Sequence, residues 1–271
     1  MQVGAFVEAL HNASLMVDDI EDNSTKRRGM DCCHIKYGIP HAIDAGNTIY
    51  FLAMRWIFDI QDPETRRKAL EIAVREMTNL HLGQNQDIVW NQGVMGDNYE
   101  YSEEGYFTLC RHKTAGLLRI VAEFCSLLSS QPLSKEGLAD LIDLYNGIGV
   151  LFQVVDDILN LEPSTVAANK AAAAEDIREG NKTIIAIHTM KHGTPADAKR
   201  LREILSTKRQ PESMTQEGLE IVRRSGSIDY AKTVAKNMAA ELHKKTDKVM
   251  HKPKAKEIIH LLIDYILNRK N

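Results

Sequence analysis

Apolar residues recur at three- and four-residue spacing along almost the whole chain, while sustained β-branched alternation is hard to find. Val3, Phe6, Val7 and Leu10 begin one stripe, which runs on through Ala13 and Val17. Ile49, Leu52, Ala53 and Ile57 mark a second over residues 46–60. Ala69, Ile72, Ala73, Met77 and Leu80 mark a third over 64–90. That period confines the chain to helices that bury one face against one another. Only 7 prolines and 16 glycines punctuate 271 residues, so the connections are short. Ser102 before Glu103 and Glu104 reads as an N-cap with acids at the positive end of the dipole. The spacing predicts one helix from there through Leu117 and Val121 to about Leu128, then a long apolar helix over 135–161. Further helices are predicted over 183–191, 195–206, 215–224, 228–249 and 254–269. The expected fold is a single all-α domain. Residues 162–182, rich in alanine and charge, read as a connecting segment: a surface loop, or a lid over a site.

Composition narrows the function. With 34 basic and 37 acidic residues there is no global excess of positive charge to neutralise phosphates, so no nucleic-acid partner is expected. No apolar run approaches the ~20 residues of a bilayer span, and no membrane span is predicted. The amphipathic run Ile258, Ile259, Leu261, Leu262, Tyr265 and Ile266 reads as a last core helix. Cys32, Cys33, Cys110 and Cys125 form no CxxC pair, which suits free thiols in a reducing, cytoplasmic compartment.

Two acidic clusters carry the chemistry. In Leu15-Met16-Val17-Asp18-Asp19-Ile20-Glu21-Asp22 an apolar helix abruptly presents three aspartates. Asp18 and Asp22, four apart, share one helical face, where like charges repel unless a cation sits between them. Leu151-Phe152-Gln153-Val154-Val155-Asp156-Asp157-Ile158-Leu159-Asn160 repeats the layout, with oxygen donors at i, i+1 and i+4. Two such helices can face each other across a cavity. Carboxylate oxygens without His or Cys suit a hard cation, and Mg²⁺ is usually held by one or two carboxylates plus water and substrate phosphates. Arg27 and Arg28 after the first cluster suit phosphate, since guanidinium is always charged and binds bidentately. Lys113 and Thr114 add a cation and a hydroxyl. Acids, arginines and an apolar helical pocket point to a greasy diphosphate.

These segments, with Arg27-Arg28-Gly29, Tyr37-Gly38-Ile39-Pro40, Asn47-Thr48-Ile49-Tyr50-Phe51, Leu80-His81-Leu82-Gly83-Gln84-Asn85-Gln86-Asp87, Lys113-Thr114-Ala115-Gly116 and Glu175-Asp176-Ile177-Arg178-Glu179-Gly180, resemble the trans-isoprenyl diphosphate synthases, in particular the eukaryotic geranylgeranyl diphosphate synthases. The resemblance covers nearly the whole chain from residue 5. It implies an isoprenoid-synthase helical bundle around a deep central cavity, and a homodimer. It implies condensation of an allylic prenyl diphosphate, farnesyl diphosphate, with isopentenyl diphosphate to give geranylgeranyl diphosphate. Asp18, Asp19, Asp22, Asp156, Asp157 and Asn160 would hold Mg²⁺, three ions with diphosphate bound. Of these, Asp18, Asp19 and Asp156 count with Lys113 as catalytic. Arg27 and Lys113 would contact the allylic diphosphate and Arg28 the isopentenyl diphosphate. Thr114, Gln153 and Lys182 complete the substrate-binding set. Ala13 and Ser14, both small, would leave the cavity open, and Tyr50, Phe51 and His81 would form its floor, which implies a twenty-carbon product.

The chain departs from that pattern in three places. The family carries helices before its first acid cluster, with a Gly-Lys-x-x-Arg motif, and neither stands in the seventeen residues before Asp18. Its Glu-Gly-Lys-x-Ser-Phe-Pro is here Glu179-Gly180-Asn181-Lys182-Thr183-Ile184-Ile185, which shifts the lysine by one. The second cluster ends in Asn160 rather than aspartate. Two alternatives therefore stand beside the synthase: a terpene synthase that ionises and cyclises a prenyl diphosphate, and a non-catalytic regulatory subunit of a prenyl synthase.

Overall fold

The structure is a computed structural model that describes residues 2–96, 99–162, 174–207 and 210–269. In chain order the described elements are α1 (Val3–Glu21), a two-residue hairpin of β1 (Lys26–Arg27) and β2 (Met30–Asp31), α2 (Cys33–Tyr37) and α3 (Ile39–Arg55). After a 3₁₀ turn at Trp56–Asp59 come α4 (Pro63–Asn91), α5 (Glu103–Lys113), α6 (Gly116–Leu127) and α7 (Lys135–Leu161). Then follow α8 (Glu175–Glu179), α9 (Ile184–His192), α10 (Pro195–Ser206), α11 (Glu212–Arg224), α12 (Ser227–Val249) and α13 (Pro253–Asn268). The all-α expectation holds. Residues 163–173, the alanine-rich part of the predicted connecting segment, lie outside the described residues.

The chain forms two compact units. The first comprises Met1–Asn79 and Gly116–Ile142. Its core is Phe6, Leu10, Ala53, Ile57, Ala69, Ala73, Ile120 and Phe124, with the Phe6 and Phe124 rings 5.2 Å apart. These are largely the residues of the three predicted stripes. Burying each large member contributes roughly 1.5–3 kcal/mol. Beside this core, Glu76 takes a 2.6 Å bond from Arg119 Nε and a 2.9 Å bond from Arg75 Nε, so its buried charge is paired twice.

The second unit comprises Leu80–Ala115 and Asp143–Asn271. Capping fixes where its helices start: Ser102, Thr183 and Thr194 hydroxyls accept from the backbone N–H of Gly105, Ala186 and Asp197. Helix α9 packs on α5, α10, α11 and α12, and α12 packs on α13.

Two expectations need correction. The predicted helix over 102–128 is two, α5 and α6, because the N–H groups of Thr114 and Ala115 both turn back to the Cys110 carbonyl, at 2.9 and 3.2 Å. Gly149 of α7 packs on this break, where a Cβ would stand 2.6 Å from that of Ala115. And α7, contrary to the prediction that none would be, is long and apolar enough by length and composition to cross a membrane. Its polar side chains Asp143, Gln153, Asp156 and Asp157 are nevertheless all bonded within the second unit, as in the core helix of a bundle.

Candidate active site

In the first unit the first acidic cluster ends α1. Asn23, at φ 57°, closes the helix, and the Ser24 N–H returns to the Asp19 carbonyl at 2.9 Å. The chain then makes a hairpin whose two-residue turn, Arg28 and Gly29, holds φ at 52° and 80°. Two successive positive φ values form the turn type whose twist suits a tight hairpin. Pairing Arg27 with Met30 aims Arg27 back at α1. Its Nη2 and Nε stand 2.5 and 2.7 Å from Asp19 Oδ1, and Nη2 is 3.6 Å from Asp18 Oδ2. Asp19 is 3% exposed, and the buried Cys32 thiol beside it is pushed up to about 11 by burial first and then by that carboxylate. Arg28, exposed at the turn tip, sits in a backbone region that costs a non-glycine residue energy, which is where functional side chains are often held.

Ala13 is fully buried one turn before the cluster, and Ser14 turns its hydroxyl onto the His11 carbonyl at 2.8 Å. Gly46 of α3 lies so close that a Cβ there would meet Val17 at 3.1 Å. Tyr50 is half-buried against the first unit's core, and its hydroxyl is pushed up to about 12 by burial and by the charges of Glu21 and Asp18. Phe51, the next residue on α3, points away and is 74% exposed. His81 belongs to the second unit and is exposed.

In the second unit the acidic cluster of α7 splits between two environments. Asp156 faces outward, where Arg269 Nη2 bonds it at 2.7 Å, donates to the Phe152 carbonyl at 3.2 Å and lies over the Phe152 ring. Asp157 faces inward. It accepts from Tyr106 Oη at 2.6 Å and from Gln153 Nε2 at 3.0 Å, and Gln153 Oε1 accepts from the Thr114 hydroxyl at 3.0 Å. Burial pushes the Asp157 carboxyl up to about 7 against those hydrogen bonds, and the Asp156 charge adds to the rise. Thus Thr114, Gln153 and Asp157, predicted separately, form one chain that ends on Tyr106. Asn160 takes the Asp176 N–H on its side chain at 3.1 Å and the Ala174 N–H on its carbonyl at 3.0 Å. Asp176 is buried too, and burial followed by the Asp157 charge holds its carboxyl well above the usual range.

Lys113, the last residue of α5, reaches Asp87 of α4 at 2.5 Å. Gly83, one turn before Asp87, permits this: a Cβ there would fall 2.5 Å from the Lys113 backbone N. Lys182 is buried and donates to the Gly180 and Leu205 carbonyls at 2.6 and 3.2 Å. Burial lowers its pKa to about 8, against the pull of Asp87. Residue-by-residue reading missed Tyr106, Asp87, Asp176 and Arg269 as members of this site. Asp87 and Asp176 stood inside matched segments, whereas Arg269 carried no local signal, being 113 positions from its partner.

The family model described as polyprenyl synthetase matches residues 1–222. The chain belongs to that family. A geranylgeranyl pyrophosphate synthase of Metarhizium robertsii is 34% identical over 87% of this chain and 66% of its own length, and one of Dictyostelium discoideum is 34% identical over 84% and 70%. The chain thus spans just under two thirds of the Metarhizium relative. A solved geranylgeranyl pyrophosphate synthetase from Pyrococcus horikoshii superposes with a TM-score of 0.81 at 27% identity, covering 98% of this chain and 79% of that one. A polyprenyl synthase from Caulobacter crescentus, solved with calcium and isoprenyl diphosphate, superposes with a TM-score of 0.85 at 23% identity, over 99% and 78%.

A polyprenyl synthetase works with divalent ions, and the donor sets here fit them. Among the described residues no three His, Cys, Asp or Glu side chains converge on one point that could hold a metal alone. Each set instead offers hard oxygens with an arginine as neighbouring cation, which suits an ion completed by water and phosphate oxygens.

Proposed function

We propose that this chain is a prenyltransferase that joins farnesyl diphosphate to isopentenyl diphosphate and releases geranylgeranyl diphosphate. The observation that carries the reading is the pair of oxygen-donor sets, Asp18 and Asp19 beside Arg27, and Asp156 beside Arg269. Asp18, Asp19 and Asp22 in the first, and Asp156 and Asn160 in the second, would hold Mg²⁺, three ions in the loaded enzyme. When bound, Mg²⁺ supplies the charge that stabilises diphosphate as it departs. The chain's own groups do the rest. Arg27 and Lys113 bind the allylic diphosphate oxygens, and Arg28, exposed on its strained turn, takes the isopentenyl diphosphate. The bonds from Thr114 and to Asp157 lock the Gln153 amide in one orientation, so it presents a fixed dipole rather than a rotating one. Asp157, held by Tyr106, then acts as the anchor of Gln153 rather than as a metal ligand. Lys182 sets the backbone at Gly180. Apolar helix faces keep water from the allylic cation.

The small Ala13 and Ser14 support a twenty-carbon product. Apolar side chains exposed on α3, Ile39, Ile43, Phe51 and Leu52, support a homodimer. Four free thiols support a cytoplasmic setting. Incubation of the purified chain with Mg²⁺, labelled isopentenyl diphosphate and farnesyl diphosphate tests the proposal. The expected product after dephosphorylation is the twenty-carbon alcohol. A fifteen-carbon alcohol overturns the chain length, release of hydrocarbon makes the chain a terpene synthase, and no turnover makes it a regulatory subunit.

A further inference from the structure

Helices α12 and α13 carry a row of side chains that prenyl transfer does not use. His243 Nδ1 and His260 Nδ1 stand 2.6 Å apart, with the ring planes 23° apart and 4.8 Å between centroids, an edge-to-edge arrangement. At the outer ends, His243 Nε2 lies 3.0 Å from Asp264 Oδ1 and His260 Nε2 lies 3.3 Å from Asp247 Oδ1. Lys256 also lies 3.3 Å from Asp247.

Counting protons shows what is missing. A carboxylate only accepts, so both outer contacts require N–H at Nε2, and a neutral imidazole carries a single proton. Two neutral rings therefore spend both protons outward and leave two Nδ1 lone pairs aimed at each other. That juxtaposition needs one further positive charge between the rings, either a proton or a metal ion.

We propose that His243 and His260 form an inter-helix site for a divalent cation of the zinc class, ligated by the two Nδ1 atoms and completed by water. Histidines that bind metal characteristically donate their other ring N–H to a carboxylate, and both rings here do so. Imidazole nitrogen suits Zn²⁺, Cu²⁺ and Ni²⁺ and is a poor donor for Mg²⁺, so this site is chemically separate from the oxygen-only sets. Zn–N bonds of about 2.0 Å at a tetrahedral angle need the nitrogens about 3.3 Å apart, a small outward rotation of both rings. The side chains are 31% and 27% exposed, which admits the ion and its waters. The bound ion would tie α13 to α12.

The test is a Zn²⁺ titration of the full chain above neutral pH, with Mg²⁺ in large excess to occupy carboxylate sites, followed by X-ray absorption of the bound zinc. One Zn²⁺ per chain with two nitrogen ligands is expected, together with a higher thermal midpoint. His243→Gln and His260→Gln should each abolish it without changing metal-free helicity. Asp264→Asn, which keeps both ligands, should weaken it about 10–100-fold and serves if a histidine variant fails to fold. Zinc binding that survives in the folded histidine variants overturns the proposal. So does a wild-type chain that binds no zinc and whose imidazole ¹⁵N signals show one proton shared between the rings.

Discussion

The two acidic clusters share a sequence pattern and differ in how their charge is contained. In the first unit Asp19 is buried, and its arginine comes from eight residues away on the hairpin that follows α1. In the second unit the half-exposed Asp156 takes its arginine from beyond the last helix, whereas the buried Asp157 takes, among the described residues, the neutral donors Tyr106, Gln153 and the backbone N–H of Ile184. A local guanidinium clamp and a remote one with an internal hydrogen-bonded chain are thus two solutions to one problem, like charges one residue apart on a helix. The lesson is that a repeated motif specifies the groups and leaves their electrostatic partners to the surrounding fold.

Removing the carboxylates should break both halves of the comparison at once. Asp19→Ala and Asp156→Ala should each lower Mg²⁺-dependent turnover by at least ~10²–10³-fold with helicity retained, the scale of losing one preorganised electrostatic contact. Because both would act on the same ionisation, the double variant should fall by less than the product of the two losses, read from single-turnover rates. Wild-type rates in the single variants would refute the metal assignment.

The arginines should separate the two solutions. Arg27→Ala leaves a buried carboxylate without its charged donor, and chemical denaturation should show a loss of about 1.5–3 kcal/mol.

Acidity should mark the second unit specifically. Asp157 titrates near 7 in the folded chain, above its value when unfolded, so the folded state holds the proton longer. The contribution of Asp157 to the stability of the metal-free protein should therefore be present below about pH 4 and be lost as pH rises toward about 7, the reverse of a salt-bridged aspartate. Asp157→Asn should flatten that slope in thermal melts across the same range. A slope unchanged in the variant would assign it elsewhere.

Arg269→Ala should give the smallest effect, below about 1 kcal/mol, since Asp156 faces solvent and is screened. If its loss matched that of Arg27, the contrast between the units would be gone.

Much of this was legible in advance, and the failures have physical causes. Helix α10 starts and stops where Thr194, Pro195 and the apolar period place it, and α7 spans the predicted 135–161. Local signals sufficed because capping and amphipathicity are local interactions. The break between α5 and α6 left only a weak local signal, Thr114 and Gly116, because a lone glycine is tolerated inside a helical pattern; the close approach of Gly149 on another helix accompanies it. The inward turn of Asp157 was legible in part, since it falls three residues after Val154 and four before Leu161 on the apolar stripe, but its partner Tyr106 lies 51 positions away. Pairs such as Asp87 with Lys113, or Asp156 with Arg269, depend on tertiary contacts that no spacing encodes.

Gly83 shows how little matter such a pair depends on. With no side chain of its own, it lets one helix backbone rest on the next, and that clearance fixes the reach from Asp87 to Lys113. A single methyl group there would wedge the two backbones apart and stretch the ion pair while leaving both charged residues untouched. Tolerance at this point is measured in tenths of an ångström, and the gauge that sets it is an empty space.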